Sequence, residues 1–134
     1  MTFLDTSAPG RLLVADVGTT EILALFRSDA ELFGSSLLAA ELLRVATRNQ
    51  LSYGSAERVL RRMQLLAMDD SLLREAGRLN LPDAWIRTAD AIHIITATRL
   101  EQTDFVTYDR VQARGADAMG LVVRSPGLEE GWWR

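Results

Sequence analysis

Asp5, Glu41, Asp90 and Asp109 are the residues of this chain best placed to do chemistry. Asp5 closes the first apolar run, Thr2-Phe3-Leu4, and Asp109 closes a late one, Phe105-Val106-Thr107-Tyr108. Glu41 and Asp90 each sit inside an otherwise apolar helical stretch. A carboxylate in such surroundings is costly unless positive charge balances it. A hard divalent cation with oxygen ligands is the natural balance, and acids that hold one beside a phosphodiester are the equipment of a nuclease.

Each acid also has a purely structural use. Asp5, followed by Thr6-Ser7, can turn the chain with its own side chain. Asp109, with Gln112 three residues on, makes a capping box for a following helix. Glu41 can pair with Arg44 at i+3, and Arg48 continues the same face. Asp90 is the acid that stands out unaided. Two residues beyond a Thr88 cap it gains about 0.3–1 kcal/mol from the helix dipole, yet its neighbours Ala89, Ala91, Ile92, Ile94 and Ile95 look buried, and burying a lone charge costs more than that. Arg44 and Arg48 are candidates to hold flanking phosphates, with ordinary surface pairing as the alternative.

Other chemistries are thinly supported. His93 is the only histidine, which excludes a histidine-rich metal site; it is expected to pack in the core. No Gly-x-Ser-x-Gly elbow surrounds any serine, so a Ser7–His93–Asp triad has no frame. No G-x-G-x-x-G or Walker sequence occurs. Lysine is absent altogether, so P-loop, Schiff-base and receiver-type lysines are impossible. With no Asp-x-Asp at the first strand, phosphatase and receiver domains are both disfavoured. Trp132-Trp133 reads equally as a docking tail or an oligomer contact.

The 134 residues, 48% hydrophobic and 25% charged, suit one domain spanning 1–134 with a single core. Absence of cysteine excludes disulfides and thiolate sites. No apolar run reaches the roughly 18 residues of a membrane span, and no basic-then-apolar leader opens the chain, so a cytoplasmic protein with no membrane partner is expected. A net charge of −3 argues against a generic polyanion binder; nucleic-acid contact would need local arginines and bound metal.

The elements that must position the acids alternate in type. Thr2–Leu4 reads as a strand, about Thr19 to Ser28 as a helix, and Leu32–Ser35 as a second strand. Ser36 is a good N-cap for a helix over Leu37–Asn49. Val59, Leu60, Met63 and Leu66 predict a helix over Ser55–Leu66, and another covers Asp70–Leu79. Thr88 opens a long apolar helix to about Leu100. Phe105–Tyr108 is a strand, Arg110–Met119 a helix and Leu121–Val123 a last strand. Such alternation implies α/β architecture with a mainly parallel sheet covered on both faces. Ligands of such sheets bind outside the carboxyl ends of the strands, where Asp5 and Asp109 fall and where the early helical turns of Glu41 and Asp90 return.

Four segments, in this order and at these separations, resemble a PIN-domain ribonuclease, most closely the toxin of a VapBC-type toxin–antitoxin pair. They are Phe3-Leu4-Asp5-Thr6-Ser7-Ala8, Ser35-Ser36-Leu37-Leu38-Ala39-Ala40-Glu41-Leu42-Leu43-Arg44, Thr88-Ala89-Asp90-Ala91-Ile92-His93 and Phe105-Val106-Thr107-Tyr108-Asp109. The resemblance implies a three-layer α/β/α sandwich around a mainly parallel sheet of four or five strands. It implies an acidic site of Asp5, Glu41, Asp90 and Asp109, with Asp5, Asp90 and Asp109 holding Mg2+ or Mn2+ and Thr6, Ser7 and Thr107 beside it. It also implies hydrolysis of RNA to a 5′-phosphate, a VapB-type antitoxin and a homodimer, with the helices around Leu37–Leu66 as contact surface. A catalytically silent PIN-like protein-binding module is the alternative. Pro9-Gly10 departs from the unbroken first helix such proteins lead one to expect.

Overall fold

A computed structural model describes all 134 residues. Five short strands, β1 (Thr2–Leu4), β2 (Leu32–Ser35), β3 (Gln64–Leu66), β4 (Asp104–Val106) and β5 (Val122–Arg124), form one wholly parallel sheet in the order β3-β2-β1-β4-β5. Six helices connect them: α1 (Thr19–Arg27), α2 (Leu37–Arg48), α3 (Tyr53–Arg61), α4 (Asp70–Gly77), α5 (Thr88–Thr98) and α6 (Arg110–Ala118).

Strand alternation builds two cores. Phe3, Phe33 and Phe105 point to one face, where residues of α4, α5 and α6 join them. Leu4, Leu32 and Val106 point to the other, beneath α1, α2 and α3. Phe3 and Phe105 are register partners in β1 and β4, and their rings stack with centroids 5.5 Å apart. Successive crossovers run one way from β1 to β3 and the other way from β4 to β5. That reversal places helices on both faces and yields the α/β/α sandwich. No helix is long and apolar enough to cross a membrane.

Several local expectations are corrected. The helix expected over Ser55–Leu66 stops at Arg61, and Gln64–Leu66 pairs in register with Phe33–Ser35 as β3. Met63 and Leu66 keep the helical spacing but pack on the sheet's two opposite faces. Ser36 does not cap α2 with its side chain; the Ser35 hydroxyl accepts from Leu37 N instead, at 3.1 Å. Arg87, not Thr88, occupies the N-cap of α5, and no side chain caps that helix. Phe105–Tyr108 shifts to Asp104–Val106, releasing Thr107 and Tyr108 to the edge of the sheet. Pro9-Gly10 starts a 3-10 turn, Pro9–Leu12, with proline in its first turn, a place that suits its fixed φ and missing N–H.

The C-terminal pair docks on its own domain. Trp133 is 4% exposed within the Phe3 core. Arg114 donates to the Trp133 carbonyl at 2.7 Å, and Arg110 lies over the Trp132 ring.

Candidate active site

The winding reverses between β1 and β4, so their carboxyl ends part and leave a crevice. Asp5 follows Leu4 directly into it and is 4% exposed. The Asp5 Oδ1 accepts from Ser7 N at 3.1 Å and from Ser7 Oγ at 2.6 Å, and Oδ2 accepts from Thr107 Oγ1 at 2.6 Å. The two hydroxyls are themselves anchored: Tyr108 N donates to Ser7 Oγ at 2.8 Å, and Asp109 N to Thr107 Oγ1 at 3.1 Å. Burial dominates and pushes the Asp5 pKa up to about 6, against the opposing pull of His93 and of the Ser7 and Thr107 hydrogen bonds; the Asp90 charge adds to the rise. Burial thus outweighs three donors and the His93 charge together.

Glu41 enters from the second turn of α2. Its Oε1 accepts from Thr6 Oγ1 at 2.6 Å and from His93 Nε2. Burial works to raise its pKa, but those two hydrogen bonds and the His93 charge outweigh burial, and Glu41 ends below the usual carboxylate value. The alternative Glu41–Arg44 pair at i+3 does not form, and Arg44 is exposed one turn along α2.

Asp90 lies in the first turn of α5, half-buried. Its pKa is raised, first by burial, then by Asp109, with Glu41 adding and His93 and Arg87 opposing. No protein donor satisfies its carboxylate. Its backbone carbonyl accepts from Gln112 Nε2 at 3.3 Å, which ties α6 to α5. The helices can approach so closely because α6 carries Gly115, where a Cβ would lie 2.9 Å from the Ile86 and Ile94 side chains.

Asp109 caps α6, its Oδ1 accepting from Gln112 N at 2.8 Å. Half of the expected capping box therefore forms. The Gln112 side chain is fully buried and serves Asp90 rather than reaching back. Asp109 is exposed, so its second oxygen remains open to solvent.

His93 is the residue that sequence reasoning misplaced. It is 1% exposed, as a packing residue would be, but its Nε2 faces Glu41, with Thr6 Oγ1 at 3.5 Å. Glu41 is ionised, so Nε2 must carry the hydrogen. The sign was present in the sequence: His93 follows Asp90 by three positions, hence one helical face. It interrupts the same isoleucine run that made Asp90 conspicuous.

The arrangement suits a hard cation by its donor chemistry: oxygen ligands, excess negative charge, and carboxyl groups that raise one another. No three acidic or histidine side chains are gathered as a ready-made direct ligand set. Mg2+ commonly takes one or two carboxylates and keeps several waters, and the open oxygens of Asp90 and Asp109 beside buried Asp5 fit that mode.

Fold and site together define an acidic crevice at the switch point of a parallel sheet. The model of the PIN domain matches residues 2–118, and the chain belongs to that family. It is 33% identical to Ribonuclease VapC47 of Mycobacterium tuberculosis, over 95% of this chain and 98% of that protein. To Ribonuclease VapC46 of the same organism it is 32% identical, over 92% and 96%.

Proposed function

We propose that this protein is an endoribonuclease dependent on Mg2+ or Mn2+, and the toxin of a type II toxin–antitoxin pair. The observation that carries the reading is buried Asp5, raised to about 6 beside Asp90 and Asp109 at the crevice of a PIN domain. A silent binding module has no use for a carboxylate kept at that cost. The similarity to two proteins named as VapC ribonucleases supports RNA as substrate.

Asp5, Asp90 and Asp109 would hold the cation. When bound, it supplies Lewis acidity toward the phosphate and a nearby water. The chain's own residues do the rest. Ser7 and Thr107 fix both oxygens of Asp5, so that carboxylate cannot rotate. Thr6 and His93 keep Glu41 ionised and aimed, which lets it orient a water and take its proton. Water oxygen bonds to phosphorus while the bond to the 3′ oxygen breaks, leaving a 5′-phosphate and a 3′-hydroxyl that receives a proton.

An antitoxin and a second copy of the chain are the proposed protein partners. A furrow between α1 and α3, lined by Leu12, Leu13, Leu23, Phe26 and Val59 and edged by Arg27, Arg58 and Arg62, suits an acidic amphipathic segment. The decisive test is RNA cleavage with Mg2+ or Mn2+. The purified protein should cut RNA, EDTA should stop it, and Asp5→Asn should not cut; full activity in EDTA would sink the metal reading.

A further inference from the structure

Trp85 is 82% exposed, the most exposed large apolar side chain of the molecule. Its position is enforced by its neighbours. Leu81 and Ala84 pair as an antiparallel bridge and pack against the Phe3 core. Ile86 is 8% exposed in that core and closely faces Gly115. The segment is pinned on both sides of Trp85, and the indole is left in solvent. Two residues on, Arg87 is also exposed, and its charge is felt by Asp90. Trp85 and Asp90 are five steps apart along the chain, so at about 3.8 Å per step their Cα atoms lie within about 19 Å.

We propose that Trp85 and Arg87 form the substrate platform of the crevice. An unpaired base near the scissile phosphate stacks on the indole, and a neighbouring phosphate pairs with the guanidinium. This rests on the reading of RNA as substrate and adds which part of it is gripped and where. Single strands are held by this combination, an aromatic face for the base and a cation for the backbone. The surroundings favour a nucleotide over a protein. Asp83, Arg87 and Thr88, close to Trp85 in sequence, are exposed and polar, and the exposed apolar side chains of this segment, Trp85 and Pro82, offer far less area than a stable protein interface buries. A chain of net charge −3 also cannot attract RNA by bulk charge; it needs local contacts of this kind.

Steady-state cleavage of an unstructured RNA oligonucleotide tests the platform, together with binding of the same RNA to the Asp5→Asn protein in EDTA. Trp85→Ala should raise KM and weaken binding by roughly tenfold, as loss of one stacked base does, with kcat within about threefold. Trp85→Phe should restore most of that. Arg87→Gln should also raise KM and make binding less salt-dependent. Annealing the oligonucleotide to its complement should abolish the difference between the wild type and Trp85→Ala. If the wild type cleaves RNA and Trp85→Ala matches it in KM and binding, the inference falls, the ribonuclease reading stands, and the indole is left for a protein partner. A Trp85→Ala loss confined to kcat also overturns it. If the wild type neither binds nor cuts RNA, both fall together.

Discussion

Two halves of one crevice are built in opposite ways. On one side Asp5, Thr6, Ser7, Glu41 and His93 sit in a web of hydrogen bonds in which every carboxylate oxygen of Asp5 has a donor. On the other, Asp90 has no donor on its carboxylate, and Asp109 uses one oxygen to cap α6. The first half is fixed before any ligand arrives, and the second is left short of partners. Under the proposed metal reading, the rigid acid would set the position of a hydrated cation and the open acids would make the exchange.

The largest expected effect sharpens that division. Asp5→Asn and Asp90→Asn should each reduce cleavage by at least about a hundredfold, since both remove cation charge balance. Their metal-free stabilities should differ. Asp5→Asn disturbs a buried web, whereas Asp90→Asn relieves repulsion without losing a bond, and thermal melts at neutral pH will rank them. If Asp90→Asn destabilises more than Asp5→Asn, the rigid and open halves are wrongly assigned.

His93→Leu should come next, with cleavage down about ten- to hundredfold, the range for groups that orient a metal-site residue. His93→Gln can still offer a donor to Glu41 and should recover part of the loss. Equal activity in His93→Leu and wild type would remove His93 from the rigid half. Thr107→Val keeps the shape but takes the donor from Asp5. It should cost about 1–3 kcal/mol in denaturant unfolding and move the Asp5 pKa further upward.

A further effect is in pH. The folded-state pKa of Asp5, about 6, lies above its ordinary 3.8, so the folded chain binds that proton more tightly than the unfolded one. Metal-free protein should therefore gain stability as pH falls from about 7 to about 4, by at most about 3 kcal/mol. Glu41 acts in the opposite sense. Its pKa is lowered, and the stability it lends at neutral pH is lost as pH falls through that lowered value, which ends the rise. A melting temperature that falls steadily from about pH 7 to about pH 5 without metal would contradict the raised Asp5. Cation affinity should fall over the same interval, as protonated Asp5 competes.

Much of this was legible because it depends on short-range pattern. The strand-ending position of Asp5 followed from alternation and the crevice from parallel order, whereas Asp109 lies three residues past β4, at the cap of α6. β3 was hidden because Met63 and Leu66 satisfy helical and sheet burial alike. The capping reading of Asp109 proved half right, since Gln112 turned to a carbonyl on another helix. The structural alternative for Glu41, a pair with Arg44, looked plausible because Arg44 is near in sequence, whereas its actual partners, Thr6 and His93, lie 35 and 52 residues away. Pairing across such distances leaves no periodic trace. Trp132 and Trp133 were open for a like reason: the groove that receives them is made by α6.

The tripeptide Asp5-Thr6-Ser7 has a consequence in time. Each of its side chains closes on a partner made later: Thr6 on Glu41, Asp5 on Thr107, and Ser7 Oγ on the amide of Tyr108. In a chain synthesised from N- to C-terminus, Thr107 emerges 102 positions after Asp5. At ribosomal rates of about 5–20 residues per second, there is an interval of several seconds in which Asp5 and Glu41 exist without Thr107. Under the proposed ribonuclease reading, a nascent chain would lack part of its crevice until Thr107 and Asp109 emerge.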